Sequence, residues 1–437
     1  MKAKKFGSEL DQRSRIPAAV LTCFFASASF GAETTAGYAQ LYESLWSAVD
    51  EHFYDPHFKG ADWAGVRERY SGRAEAIEDD AQFAALAGEM LAEIGSSHLH
   101  IRPPERNVRT VGIAASIVTI DGQTIVSDVA TLSDAHRRGL RPGDRLLSSP
   151  ADLRGQLGSV ASVAIERCDG EKSELRIRRE QASWPPEGPG FRWSQIRVRP
   201  ETTIGYLNIG RFDDGAAALA DRAMSQLEDS QALIIDLRNN SGGNTSALRL
   251  ASFFGNGAEP AVILFARAYL EELGRPVSEA DALAAPRVDA AYTDEAVFEA
   301  ISAHGGGAAF WTEDVPKKYE RPVYVLVGEE TGSAAEGFAW YMRERTHATL
   351  IGRVTAGELL SSETFEIGEG WSVVVPVHGL WGPDGTDYGD RAVPPDREVA
   401  WARDDLCNGR DPVLETALVL AIGDPADRAS SEQPGSR

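Results

Sequence analysis

Cysteine is scarce in this sequence, with three in 437 residues. None has the paired Cys or His spacing of a zinc site, so no structural metal centre is expected. Apolar runs long enough to cross a bilayer are missing too. The stretch Ile16 to Phe25 is too short for a span, so stable membrane insertion is not expected. Excess positive charge is also absent. The formal net charge of -22 argues against nucleic acid and anionic membrane surfaces as partners. There are no internal repeats, which sets aside solenoids and arrays. What is present is an ordinary soluble composition, 43% apolar and 25% charged. At 437 residues the chain calls for two or three domains.

Residues 1–32 have the pattern of a signal peptide. Lys2, Lys4, Lys5, Arg13 and Arg15 form a basic n-region. Ile16 to Phe25 is the apolar h-region, and Ala26-Ser27-Ala28 an A-x-A-like cleavage site. A periplasmic or secreted location follows. A lipoprotein anchored through Cys23 is the weaker reading, because Thr22 precedes the cysteine. Cleavage would leave Cys168 and Cys407, whose positions in different expected domains argue against a disulfide between them.

Leu41, Leu45, Trp46, Val49 and Phe53 recur at helical spacing, and 63–70 and 81–94 repeat the pattern. Residues 36–105 therefore read as an N-terminal helical domain. It ends at Gly95-Ser96-Ser97-His98-Leu99-His100, where the chain becomes extended. Residues 108–180 contain short alternating strands and one short helix that stops at Gly139 before a Pro142-Gly143 turn. That suits a compact β-barrel that binds peptide ends by strand addition. Residues 181–192 are a linker by composition.

From 193 to 422 strands and helices alternate, as in an α/β layer whose functional loops lie at the carboxyl ends of strands. Ala232 to Leu237 is a fully apolar strand ending at Asn239-Asn240-Ser241-Gly242-Gly243. The two glycines allow close backbone approach to a substrate, or simply a tight turn. Residues 256–320 are less regular and read as an insertion or flap. Val323 to Val327 is a buried strand, and Ser333 sits where it passes into a helix. A hydroxyl there faces the positive end of a helix dipole. It suits a nucleophile that builds an oxyanion, and it equally suits a helix N-cap. Residues 424–437 are a polar tail expected to be disordered.

Together these stretches resemble family S41 of the serine peptidases, the C-terminal processing and tricorn-type proteases. The resemblance runs from about 38 to 415. Ile234 to Gly243 is similar to the family's glycine-rich strand end. Ser333-Ala334-Ala335-Glu336 resembles its nucleophile segment, and Gly352-Arg353-Val354-Thr355-Ala356-Gly357 its Gly-x-x-Thr-x-Gly turn. Val393-Pro394-Pro395-Asp396 resembles its closing Pro-Asp motif. Residues 108–180 resemble the PDZ domain these proteases carry, on the Arg138 to Leu146 turn. The resemblance implies a multidomain α+β protein with a helical domain, a PDZ-like β-barrel and an α/β core of the ClpP/crotonase type.

It also implies that Ser333 is the nucleophile. The N–H groups of Ala334 and of Gly242 or Gly243 would form the oxyanion hole. No lysine occurs from 319 to 437, and Glu358 stands where the processing branch has its basic lysine. A Ser-Lys dyad is thereby excluded. The tricorn-type branch uses a histidine preceded by a serine, which Ser97-His98 matches, so His98 becomes the general base and Ser97 a supporting residue. The branch's orienting Glu would fall at Gly389. Asp390 is the favoured replacement, with Glu358 and Asp387 as alternatives. No metal or cofactor is implied. The expected function is a serine endopeptidase acting on peptide or protein substrates, with a C-terminal end docked by the PDZ-like domain. An inactive S41-fold binding protein for peptides or hydrophobic ligands is the alternative, favoured by the altered acid position. Esterase activity is a third option.

Overall fold

The β-branched runs of the α/β region form one six-stranded sheet. Its strand order is Arg397–Glu398, Thr349–Gly352, Val323–Val327, Ala232–Asp236, Thr202–Ile209 and Phe191–Arg199. Four of its five neighbour pairs are parallel; only Phe191–Arg199 runs antiparallel to its neighbour. Ala232–Asp236 is buried at every position, as a strand covered on both faces must be. The protein is described by a computed structural model covering residues 32–104, 110–181 and 190–423. The expected leader with Cys23, the 424–437 tail and most of the expected linker lie outside these residues.

A second six-stranded sheet packs against the first. It joins His100–Arg102, Trp371–Trp381, Pro260–Ala266, Gly307–Trp311 and Arg287–Val288, with Ser361–Gly368 also paired to Trp371–Trp381. Residues 256–320 are therefore no flap. They supply three strands of this sheet, and Ala261 to Phe265 are buried in it. The apolar run Ala261-Val262-Ile263-Leu264-Phe265 was the available sign of a covered strand.

The helices Ala32–His52, Trp63–Ala74 and Asp80–Ala92 lie on the second sheet's outer face. They share one core with it: Leu45, Phe53, Trp63 and Phe83 pack with Phe265, Trp371 and Val373. The expected separate helical domain thus has no core of its own. Asp62 and Asp79 cap the second and third helices through the N–H groups of Gly65 and Gln82.

Residues 115–178 fold around their own small core, with Val126, Val163, Ile165 and Ile177 at its centre. Five antiparallel strands form it, in the order Ala115–Ile120, Gln123–Val129, Arg145–Leu146, Val160–Glu166, Lys172–Arg178. The short helix Asp134–Arg137 is capped by Ser133. This unit is fastened to the chain's C-terminal part. Cys168 and Cys407 form a disulfide, contrary to the expectation from domain positions. Arg403 donates to the carbonyls of Gly143, Glu166 and Arg167. Sequence distance misled here: the Arg403–Cys407 helix returns to the Gly143 turn, and 239 residues separate the two sulfurs.

The Asp236 strand end is tied down by charge. Arg238 bonds the Asp236 carboxylate and also makes a two-pronged contact with Asp411, at 2.8 Å for each prong. Tyr206 donates to Asp236 at 2.7 Å. Burial pushes the Asp236 carboxyl up, but the Arg238 and Tyr206 bonds outweigh it and hold it below the usual range. Asp411 also caps the Pro412–Ile422 helix. Breaking a buried pair leaves a charge uncompensated, so Arg238→Ala should cost about 3 kcal/mol. A lower urea midpoint with unchanged slope is the expected readout.

Candidate active site

Ser333 stands at the head of the Ala334–Arg345 helix, in a backbone conformation rare for a residue with a side chain, φ 51° and ψ −125°. Such strain costs of order 1–3 kcal/mol and persists only where neighbours impose it. Three contacts impose it here. The Ser333 N–H donates to the Glu358 carbonyl at 2.7 Å and to Glu336 Oε2 at 3.1 Å. The Gly332 N–H donates to the Asn240 carbonyl at 3.0 Å. The hydroxyl makes no cap hydrogen bond. The Glu336 N–H goes to the Ser333 carbonyl instead, at 2.8 Å. The Glu336 carboxylate reaches back to the Ser333 N–H, as in a capping box.

The glycine-rich strand end lies against this residue. A Cβ on Gly242 would sit 2.5 Å from Ser333 Cβ, and one on Gly243 would sit 1.7 Å from the Phe212 carbonyl oxygen. Both also have strongly positive φ, so only glycine fits. Their amides differ. The Gly242 N–H is committed to Asn240 Oδ1 at 2.9 Å. The N–H groups of Gly243 and Ala334 have no acceptor among the described residues. Gly243, Ala334, Ser333 and His98 line one cavity of about 370 Å³.

His98 reaches that cavity from the other end of the chain. The strand His100–Arg102 adds antiparallel to Trp371–Trp381, with His100 opposite Val374. His98 itself has φ 58°. Its Nδ1 is buried without a hydrogen-bond partner, as is Ser97 Oγ. Burial lowers the imidazole pKa below its ordinary value, opposed by the charges of Glu358 and then Asp390.

The three carboxylates considered at the acid position lie close by, but none bonds the ring. Asp390 accepts the Ser97 N–H at 2.7 Å and pairs with Lys59. Its carboxylate is spent on the loop that carries His98, not on the imidazole. Asp387 caps the Gly389 N–H at 2.9 Å, and burial raises its pKa. Glu358 has an exposed side chain and the larger charge effect on His98. Lys59 carried no signal in the sequence, because 331 residues separate it from Asp390.

Glu336 was quoted only as part of a motif, yet it is fully buried. It accepts from Thr355 Oγ1, from the N–H groups of Gly357 and Glu358 at 2.7 Å each, and from Ser333. Burial raises its pKa against those four bonds. It joins the Thr355-Ala356-Gly357-Glu358 turn to the Ser333 backbone. A second Ser-His pair was missed as well. Ser361 Oγ lies 3.0 Å from Nδ1 of buried His378, whose pKa burial pushes down to about 4. Among the described residues no group of His, Cys, Asp or Glu is placed to hold a metal ion.

A two-sheet α/β core with a strained serine beside two free amides defines a serine-type hydrolase. Comparison with known proteins agrees and narrows this. Residues 203–399 match the model of peptidase family S41, and residues 34–92 the tricorn protease C1 domain. A carboxyl-terminal-processing protease of Synechocystis sp. is 26% identical over 383 residues, 81% of this chain and 79% of the relative. Tricorn protease homolog 1 of Streptomyces coelicolor is 20% identical over 424 residues, 89% of this chain but 35% of the relative. Among solved structures, mature CPAF complexed with lactacystin superposes with a TM-score of 0.62 at 14% identity, covering 89% of this chain and 100% of the other. The photosystem II D1 C-terminal processing protease superposes at 0.53 and 20% identity, covering 86% and 98%. The chain carries a peptidase family S41 domain and is a serine-type peptidase.

Because burial favours the neutral ring, His98 should titrate below pH 6.5. Glu358→Gln should lower its pKa further, and Asp390→Asn should do so by less. Histidine-selective NMR titration of the three proteins checks both the sign and the order.

Proposed function

We propose that this protein is an endopeptidase that cuts through a Ser333 acyl-enzyme with His98 as general base. One observation carries the reading. Ser333 sits on a strained turn between the free amides of Gly243 and Ala334, in the same cavity as His98. In this scheme neutral His98 takes the Ser333 hydroxyl proton as Oγ bonds the substrate carbonyl carbon. The two amides hold the oxyanion, and Gly243 serves rather than Gly242. His98 returns the proton to the leaving amine as the C–N bond breaks, and water then hydrolyses the acyl-enzyme. Asp390 and Lys59 position the Ser97-His98 loop. Glu358 is the carboxylate that stabilises the charged imidazole through space. Burial favours the neutral form of His98, the form that acts as base.

The remaining assignments are part of the same proposal. Residues 36–105 are the helical region, 193–422 the ClpP/crotonase-type core, and 108–180 a PDZ-like unit that docks a substrate's C-terminal end by strand addition. The antiparallel five-stranded sheet with its short capped helix supports that reading. The Cys168–Cys407 disulfide supports an oxidising, periplasmic or extracellular location, as the leader-like residues 1–32 do. No helix among the described residues is long and apolar enough to cross a membrane.

A fluorophosphonate probe should label wild-type protein at Ser333, and Ser333→Ala should not be labelled. His98→Ala should slow labelling and peptide cleavage by about 100- to 10,000-fold, the range of general-base catalysis. Failure of well-folded wild type to label would remove Ser333 as nucleophile.

A further inference from the structure

One turn below Ser333, at the fourth residue on, the Ala334–Arg345 helix carries Gly337. The Gly337 N–H bonds the Ser333 carbonyl at 3.0 Å, so the two residues share a face of the helix. Gly337 is buried and lines the same cavity as Ser333. Glycine weakens a helix interior relative to alanine, so a buried one needs a reason. At Gly242 and Gly243 the reason is a neighbour that forbids a side chain. At Gly337 no such neighbour exists. A Cβ there would meet only Leu359 Cδ1, at an ordinary 3.6 Å. The missing side chain leaves room in the cavity without serving any close packing.

Apolar side chains form about half of the cavity's wall, and polar groups such as Ser241, Asn244 and Thr245 form the rest. Leu248, Val262, Leu264, Val297 and Leu380 line it from the helix Ala247–Ala251, the second sheet and the helix Asp294–Ala303. The charged lining residues are Arg102, Arg211 and Asp294. Burial, and then the charge of Asp214, raise the Asp294 pKa, which favours its neutral form, and Arg211 opposes them. The cavity therefore carries a positive balance, which repels a basic side chain. It adjoins Ala334 and Gly243, whose amides face the oxyanion in the acyl-transfer reading. The side chain that enters belongs to the residue whose carbonyl is attacked.

We propose that Gly337 is a specificity-determining residue that opens this pocket to a bulky apolar side chain, so that cleavage follows large aliphatic or aromatic residues. This rests on Ser333 being the nucleophile. The test uses diphenyl phosphonates of N-protected amino acids, in which Ser333 Oγ bonds phosphorus and phenoxide leaves. Wild type should react at least about tenfold faster with the Phe or Leu probe than with the Ala probe, the scale on which apolar pockets discriminate. Gly337→Val should cut that ratio about tenfold, and Gly337→Ala should fall between. Each ratio is read within one protein, so partial misfolding lowers both rates and leaves the ratio intact.

A wild-type ratio near one, a faster Lys probe, or an unchanged ratio in Gly337→Val would overturn the pocket while fluorophosphonate labelling of Ser333 still stood. No labelling of wild type by any of these reagents would remove the nucleophile and the pocket together.

Discussion

Three residues of strand decide where this protein's chemistry can happen. His100–Arg102 pairs with Trp371–Trp381, and that pairing brings His98 to a cavity whose other side is built by residues 241–264 and 333–362. Backbone pairing alone would leave the preceding loop free. Asp390 removes that freedom by taking the Ser97 N–H, and Lys59 holds Asp390 in turn. Because the three N-terminal helices share a core with the second sheet, the strand cannot leave without exposing Trp371, Phe265 and their partners. His98 is thus positioned by apolar burial first and by polar contacts second.

The serine is held by a different device. A positive φ on a residue with a Cβ is unfavourable, and Ser333 is kept there by the buried Glu336 carboxylate. Four donors converge on that carboxylate, which offsets the penalty of burying its charge. The same carboxylate fixes the turn that carries Glu358. One buried group therefore sets both the Ser333 backbone and the position of the charge with the largest effect on His98. Ser333 and His98 both have positive φ and line the same cavity, and strained backbone often clusters at functional sites.

Much of the site was legible in the residues. The strands Val323–Val327 and Ala232–Asp236 followed from their apolar runs. Gly242 and Gly243 were legible because close approach demands glycine. The choice between them was not, since it turns on Asn240 Oδ1 consuming one amide. What each candidate acid touches was hidden for a similar reason. The resemblance favoured Asp390 as the acid, but which atom a carboxylate meets depends on side-chain geometry that a motif does not carry. The second sheet was missed because its strands come from distant segments. An apolar run such as Ala261 to Phe265 does not announce its partners.

Residue type and order by themselves determined that a serine at a strand-to-helix turn, a glycine pair and a Ser-His pair stand in the chain without a usable lysine. That follows from local chemistry: β-branched runs make strands, glycine permits positive φ, and a helix start offers free amides. Only the tertiary structure decided that Gly243 and not Gly242 keeps a free amide, that Asp390 grips the Ser97 loop, that Cys168 meets Cys407, and that Gly337 faces open space. Each depends on contacts between residues far apart in sequence. Which partner a polar group finds there is set by how two sheets and their helices pack, and no local pattern encodes that.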